Sequence, residues 1–205
     1  LEDPIYLKYL DKLLIGVQKE TVHFTSLFNL LCHLLCTKNY GNQEEILQCI
    51  SSLLIGYNEV DESVYAAVAP RLKTLMNASE DIAKPALLCF SRLASVAPES
   101  LRNDVPDLVN FALPLLNSQD MKLLTIIVNF FYEMITVYAT LLKDIIPPIV
   151  EVLENILKAP DTVYTVNDDE EDEERTEYPR DMQANLRGAT IKCLGLCVRM
   201  NLFDR

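Results

Sequence analysis

Apolar residues recur three and four places apart through most of the chain. Ile46, Cys49, Ile50, Leu53 and Leu54 form one such stripe, the spacing that gathers side chains on one face of an α-helix. Long stretches lack the strict apolar–polar alternation of a half-buried strand. With only five Gly and no Trp in 205 residues, this text predicts helices and almost no sheet.

The stripe is periodic on a longer scale. YLDKLLIGV at 9–17 returns as CISSLLIGY at 49–57, CFSRLASVA at 89–97 and FFYEMITVY at 130–138. The offsets of 40, 40 and 41 make Tyr9, Cys49, Cys89 and Phe130 equivalent, and a period of this length marks a stack of helical units. After each segment a short turn leads into a second apolar helix, expected at 22–37, 62–78, 101–117 and 141–158. Pro70, Pro106, Pro147 and Pro148 fall in these second helices. Proline is tolerated near a helix start, where its missing N–H has no intrahelical partner, so each is expected in a first turn. Pro114 lies well inside its segment and predicts a kink or an early stop.

One more first helix follows, LRGATIKCLGLC at 186–197. Leu186, Arg187, Ala189, Leu194 and Gly195 resemble the first-helix pattern of HEAT repeats, which would set its small residue one place later, at Thr190. The expected fold is therefore all-α: an α-α superhelix, a HEAT-repeat solenoid of about five repeats of two antiparallel helices. The repeats fall near 3–38, 42–79, 80–118, 119–159 and, incomplete, 181–205. The opening in helical text and the halt after one helix of the fifth unit suggest that repeats continue on at least one side.

The period breaks once. Phe130 should recur near position 170, but the matching pattern aligns Thr190 with it, an offset of 60. The extra residues lie at 160–180 and contain VNDDEEDEER, with Asp168, Asp169, Glu170, Glu171, Asp172, Glu173 and Glu174 in unbroken succession. This is an insertion into a regular array. It can be a solvated spacer, as blocks of like charge commonly are, or a loop that binds a partner. A calcium site fits poorly, because the run lacks alternating ligands and a turn glycine. At full extension about 22 residues trace roughly 70 Å, enough to cross a solenoid's concave surface. Seven carboxylates attract Lys/Arg-rich ligands with a strength that falls as salt rises.

Charge and composition narrow the partners. The net charge is −12, most of it in this run, and no stripe of Lys and Arg suits a phosphate backbone. Basic proteins are the expected partners, and nucleic acid is not. Half of the residues are hydrophobic, too many for a disordered chain. Cys32, Cys36, Cys49, Cys89, Cys193 and Cys197 sit in apolar helical text rather than in a loop-rich disulfide framework, which points to core packing in a reducing compartment. LEDPIYLKYL is not a signal peptide, and no apolar stretch runs eighteen residues without polar groups, so no membrane insertion is expected.

No cofactor and no catalysis are expected. CHLLC at 32–36 would need further ligands to hold zinc, and His23 lies too far along the chain. With two His and no phosphate-cradling loop, no base stands beside a nucleophile. Phe131, Tyr132 and Tyr138 form an aromatic group that reads as inter-helix core, with a pocket for an aromatic peptide as the alternative.

The order LRNDVPDLVNFALPLL, TLLKDIIPPIVEVLENIL, the acidic run and NLRGATIKCLGL resembles the central part of karyopherin-β proteins of the importin-β class. The architecture is similar over most of the chain, and the detail over residues 99–198. The resemblance implies a segment of a nuclear transport receptor, found in the cytoplasm and nucleus. It implies basic cargo and the GTPase Ran on the concave surface, phenylalanine-glycine nucleoporins on the outer one, and Asp168 to Glu174 as the acidic loop that engages Ran or cargo. Two other readings stay open: a HEAT scaffold subunit of the phosphatase-scaffold or cullin-exchange-factor type, and an acidic chaperone of basic proteins.

Overall fold

The computed structural model describes residues 22–36, 42–55, 62–77, 79–160 and 179–202. The expected first helix near residues 9–17 and the acidic run lie outside the described residues. The chain is all-helical, with no strand among the described residues. Among the described residues nine helices run in order: α1 Val22–Cys36, α2 Gln43–Ile55, α3 Glu62–Met76, α4 Glu80–Val96, α5 Pro98–Leu101, α6 Val105–Leu115, α7 Met121–Tyr138, α8 Ile146–Lys158 and α9 Pro179–Arg199. The chain divides into two compact units, Leu1–Leu108 and Val109–Arg205, with the boundary inside α6.

In the first unit α2 lies against α4 and α1 against α3, while α1 also packs on α2 and α3 on α4. First helices thus form one layer and second helices another. The sequence explains the layering. On α1 the buried residues Phe28, Leu31, Cys32 and Leu35 make one stripe, whereas α2 buries Ile46, Leu47, Cys49, Ile50, Leu53 and Leu54, a face wide enough to pack on two sides. In the second unit α9 packs on α7 and on α8. Phe90 of α4 and Phe130 and Phe131 of α7 are fully buried, each worth about 1.5–3 kcal/mol in apolar surface removed from water.

Local signals set the helix ends. Ser79 Oγ accepts from the Ile82 N–H at 3.4 Å before α4, and Asp120 Oδ1 accepts from the N–H groups of Lys122 and Leu123 before α7, at 2.8 and 3.2 Å. At the end of α9, Asn201 has φ 53°. The Asn201 N–H donates to Val198 O and the Leu202 N–H to Cys197 O, each at 3.1 Å, the paired closure that stops a helix with one left-handed residue.

Two helix starts differ from expectation. The third second helix starts at Val105 rather than 101, because Pro98 opens the separate short α5 and a turn at 102–104 follows. The fourth starts at Ile146 rather than 141, after turns whose N–H groups find carbonyls three residues back. Pro106, Pro147 and Pro148 do lie in first turns, and α6 stops one residue after Pro114. Pro70 does not fit: it is the ninth residue of α3. Its missing N–H leaves the Ala66 carbonyl without its usual donor, and Ala66 and Pro70 are both exposed, so water can meet that carbonyl.

Candidate functional site

Asp168, Asp169, Glu170, Glu171, Asp172, Glu173 and Glu174 lie outside the described residues. Their frame is described. The chain leaves α8 at Lys158, whose ammonium pairs with Glu154 at 2.8 Å in an exposed i, i+4 bridge. Beyond it, Arg187 Nη2 of α9 donates to Ala159 O at 2.8 Å and Gln183 Nε2 donates to Pro160 O at 3.4 Å. Gln183 and Arg187 are four apart and so share one side of α9. One face of α9 therefore holds the point at which the chain departs, and the chain re-enters at Pro179, one turn before Gln183. Residues 160 and 179, which flank the acidic segment, thus both lie beside the first turns of α9.

A second polar group links neighbouring pairs in the first unit. Asp104, in the turn before α6, accepts from the Tyr65 hydroxyl at 2.6 Å through Oδ2 and from the Lys73 ammonium through Oδ1. Tyr65 is buried, and Lys73 is in the last turn of α3. On the same helix Arg71 Nε donates to Leu35 O at 3.0 Å, satisfying one of the carbonyls that the end of α1 leaves open. These contacts join residues 31 to 39 positions apart, about one repeat. They went unforeseen in the sequence, since a period aligns equivalent positions without saying which polar side chains reach across to the next unit.

The cysteines are packing groups. Cys32, Cys49, Cys89, Cys193 and Cys197 are buried, as expected, and none is in a disulfide among the described residues; the Cys36 side chain is outside the described ones. The Cys89 thiol donates to Leu47 O at 3.3 Å, and burial pushes its pKa well above the ordinary thiol range. On α9 the hydrogen-bonded Cys197 sulfur, with burial behind it, pushes the Cys193 thiol up as well. The same hydrogen bond from Cys193 holds the Cys197 thiol below its ordinary value, while burial disfavours the thiolate at Cys89. His33 is exposed, and no group of three or more His, Cys, Asp or Glu side chains suited to a metal ion occurs among the described residues.

Of the aromatic group on α7, Phe131 and Tyr138 are core residues and Tyr132 is half-buried. The Phe131 ring meets Phe130 edge-on at 5.6 Å. With 18 residues at mean hydropathy 1.3, α7 is long and apolar enough to cross a membrane, the one such helix among the described residues. Half of it is nevertheless buried inside the protein, and its outer side carries Lys122, Asn129 and Thr136.

No family model matches the chain, and no curated protein matches it. Among solved structures, the crystal structure of an engineered protein is similar, with a TM-score of 0.63 at 15% identity over 94% of this chain and 72% of that one. At that identity the likeness is one of fold, and it agrees with the all-helical architecture.

Proposed function

We propose that this chain is a protein-binding segment built of helical pairs, and more specifically a segment of an importin-β-like transport receptor that engages basic cargo or Ran through its inner helices and the acidic run. The observation that carries the binding reading is the frame of the run. Gln183 and Arg187 grip the carbonyls of Pro160 and Ala159, so the helix that follows the run also holds the end of the helix pair that precedes it. A segment tethered at both ends keeps its charge at a high local concentration beside the helices. The transport reading rests on the 40-residue period and on the resemblance to importin-β proteins read from the order of the segments around the run. No described residue supplies a catalytic constellation that would favour an enzyme over a binding surface.

Pull-downs from purified components test both levels. The chain, and a variant lacking residues 168–174, are presented to a Lys/Arg-rich peptide, to GTP-locked Ran and to phenylalanine-glycine repeats. Peptide binding that needs the acidic run supports the binding role, and retention of Ran or the repeats supports the transport role. Equal peptide binding by both forms at low salt reduces the run to a spacer. Absence of Ran and repeat binding in the longest natural form of the protein leaves the scaffold reading, with no part in transport.

A further inference from the structure

The helix α9 is built like the first helices before it, except on one side. Under the offsets that align Cys49, Cys89, Phe130 and Thr190, a stripe of α2 at Leu47, Ile50 and Leu54 corresponds to Leu87, Phe90 and Ala94 on α4. On α7 the same stripe is Val128, Phe131 and Ile135. All nine are buried to within 1% of full burial. On α9 the stripe becomes Gly188, Ile191 and Gly195, extended by Ala184 and Val198, and all five are exposed, Ile191 and Val198 at 61% each.

What covers the stripe elsewhere is visible in each unit. The Leu47 carbonyl receives the Cys89 thiol, so this side of α2 meets α4, the first helix of the next pair. Along α7 the packed neighbour is α9, again the first helix of the next pair. The opposite side of α9, with Leu186, Ala189, Thr190 and Cys193, is buried as the rear of such a helix should be.

The composition of the bare stripe adds a second, independent observation. Glycine is unfavourable inside a helix and persists where a neighbour must come close. Yet a Cβ built on Gly188 or on Gly195 would meet nothing within 4 Å. Nothing among the described residues accounts for either glycine, while a helix laid along Ala184, Gly188 and Gly195 would, with Ile191 and Val198 as the side chains that interlock with it. Beside the stripe, Lys192 and Arg199 are exposed seven residues apart, so the complementary flank is acidic.

We infer that the Ala184–Gly188–Ile191–Gly195–Val198 face of α9 is the docking surface for the leading helix of one more helical pair, an amphipathic helix with an apolar stripe and Asp or Glu along the flank facing Lys192 and Arg199. The packing continues the α7–α9 interface by one layer. Self-association is the poorer fit, because two copies meeting through this face would bring the exposed Lys192 and Arg199 near their own kind.

The test is photocrosslinking from p-benzoylphenylalanine placed at Val198 in the protein as its own cells make it, with the crosslinked peptide identified by mass spectrometry. The expected product joins Val198 to a helical segment with apolar residues three and four apart and acidic residues on one flank. A crosslink to the α9 peptide of a second copy, to residues 161–178 or to a segment without that pattern overturns the inference. Cysteine at the same place gives a check that needs no crosslink. In the native protein Val198→Cys should react with maleimide at least tenfold more slowly than Lys192→Cys, and equal rates overturn the inference.

Discussion

Asn201 is a single residue on which the end of a helix turns. With φ 53° it stands where β-branched side chains are strained, while Gly is at ease there. Asn201→Val is therefore expected to lower stability by about 1–2 kcal/mol, and Asn201→Gly to leave it within about 0.5 kcal/mol; urea unfolding of the two variants makes the comparison. A glycine would have announced this stop in the sequence, whereas an Asn near a helix end has many other uses.

Cys89 sets a pH limit. Its folded pKa is raised by burial above the ordinary value of 9.0. Above that pH the unfolded thiol ionises while the folded one stays protonated, so the unfolded state binds fewer protons and stability falls as pH rises. The contribution is complete below pH 9. Between pH 9 and 10.5 the unfolding free energy of the parent should drop more steeply than that of Cys89→Ala, the difference in slope growing towards about 1.4 kcal/mol per pH unit. Equal slopes would remove Cys89 from the account. That these thiols are buried was legible from the apolar stripes around them, while the hydrogen bond to Leu47 was not, because nothing local encodes a contact 42 residues away.

Among the elements, α3 carries an internal contradiction. Pro70 interrupts its hydrogen-bond ladder at the ninth position, at an exposed site with no packing role to offset the loss. Pro70→Ala is expected to raise the melting temperature, with a gain of up to about 3 kcal/mol in unfolding free energy. The expectation that this proline would begin a helix failed for a definite reason. The start of α3 lies eight residues earlier, and a proline consistent with a first turn is equally consistent with a tolerated interruption when its side faces water.

The joint between α3 and the turn before α6 is the other element-level feature. Tyr65 and Lys73 share Asp104, so their contributions should not add. Tyr65→Phe removes one hydrogen bond to a carboxylate that is partly open to water, and a loss of about 1 kcal/mol is expected. Lys73→Ala should cost less, as half-exposed ion pairs contribute about 0–1 kcal/mol. In a double-mutant cycle the coupling between them should exceed 0.5 kcal/mol, and strict additivity would mean that Asp104 does not bridge them. The helices themselves were plain in the sequence from their 3- and 4-residue spacing; their joints were not, since Asp104 looks in sequence like one more polar turn residue.

For the whole molecule, the all-helical class followed from periodicity because each stripe needs a neighbour, and a 40-residue recurrence supplies one repeatedly. Burial of equivalent positions on α2, α4 and α7 is that rule at work. The acidic run was legible as an interruption of the period. The binding reading makes a measurable statement at this scale. Affinity for a Lys/Arg-rich peptide should fall at least tenfold between 50 and 500 mM salt, on the order expected when a Debye length shrinks from above 10 Å towards a few ångströms. A variant lacking 168–174 should lose the affinity and keep its helicity and melting temperature. A salt-independent affinity would detach binding from charge.

The grip of Gln183 and Arg187 on Pro160 and Ala159 has a consequence for how such a chain can change. Because departure and return are fastened to the same helix, the length of what lies between is decoupled from the spacing of the helices. Doubling a loop costs only about 0.6 kcal/mol in closure entropy. The stretch is thus an open socket: its text can be rewritten, lengthened or replaced by a foreign recognition sequence, while α8 and α9 keep their seats.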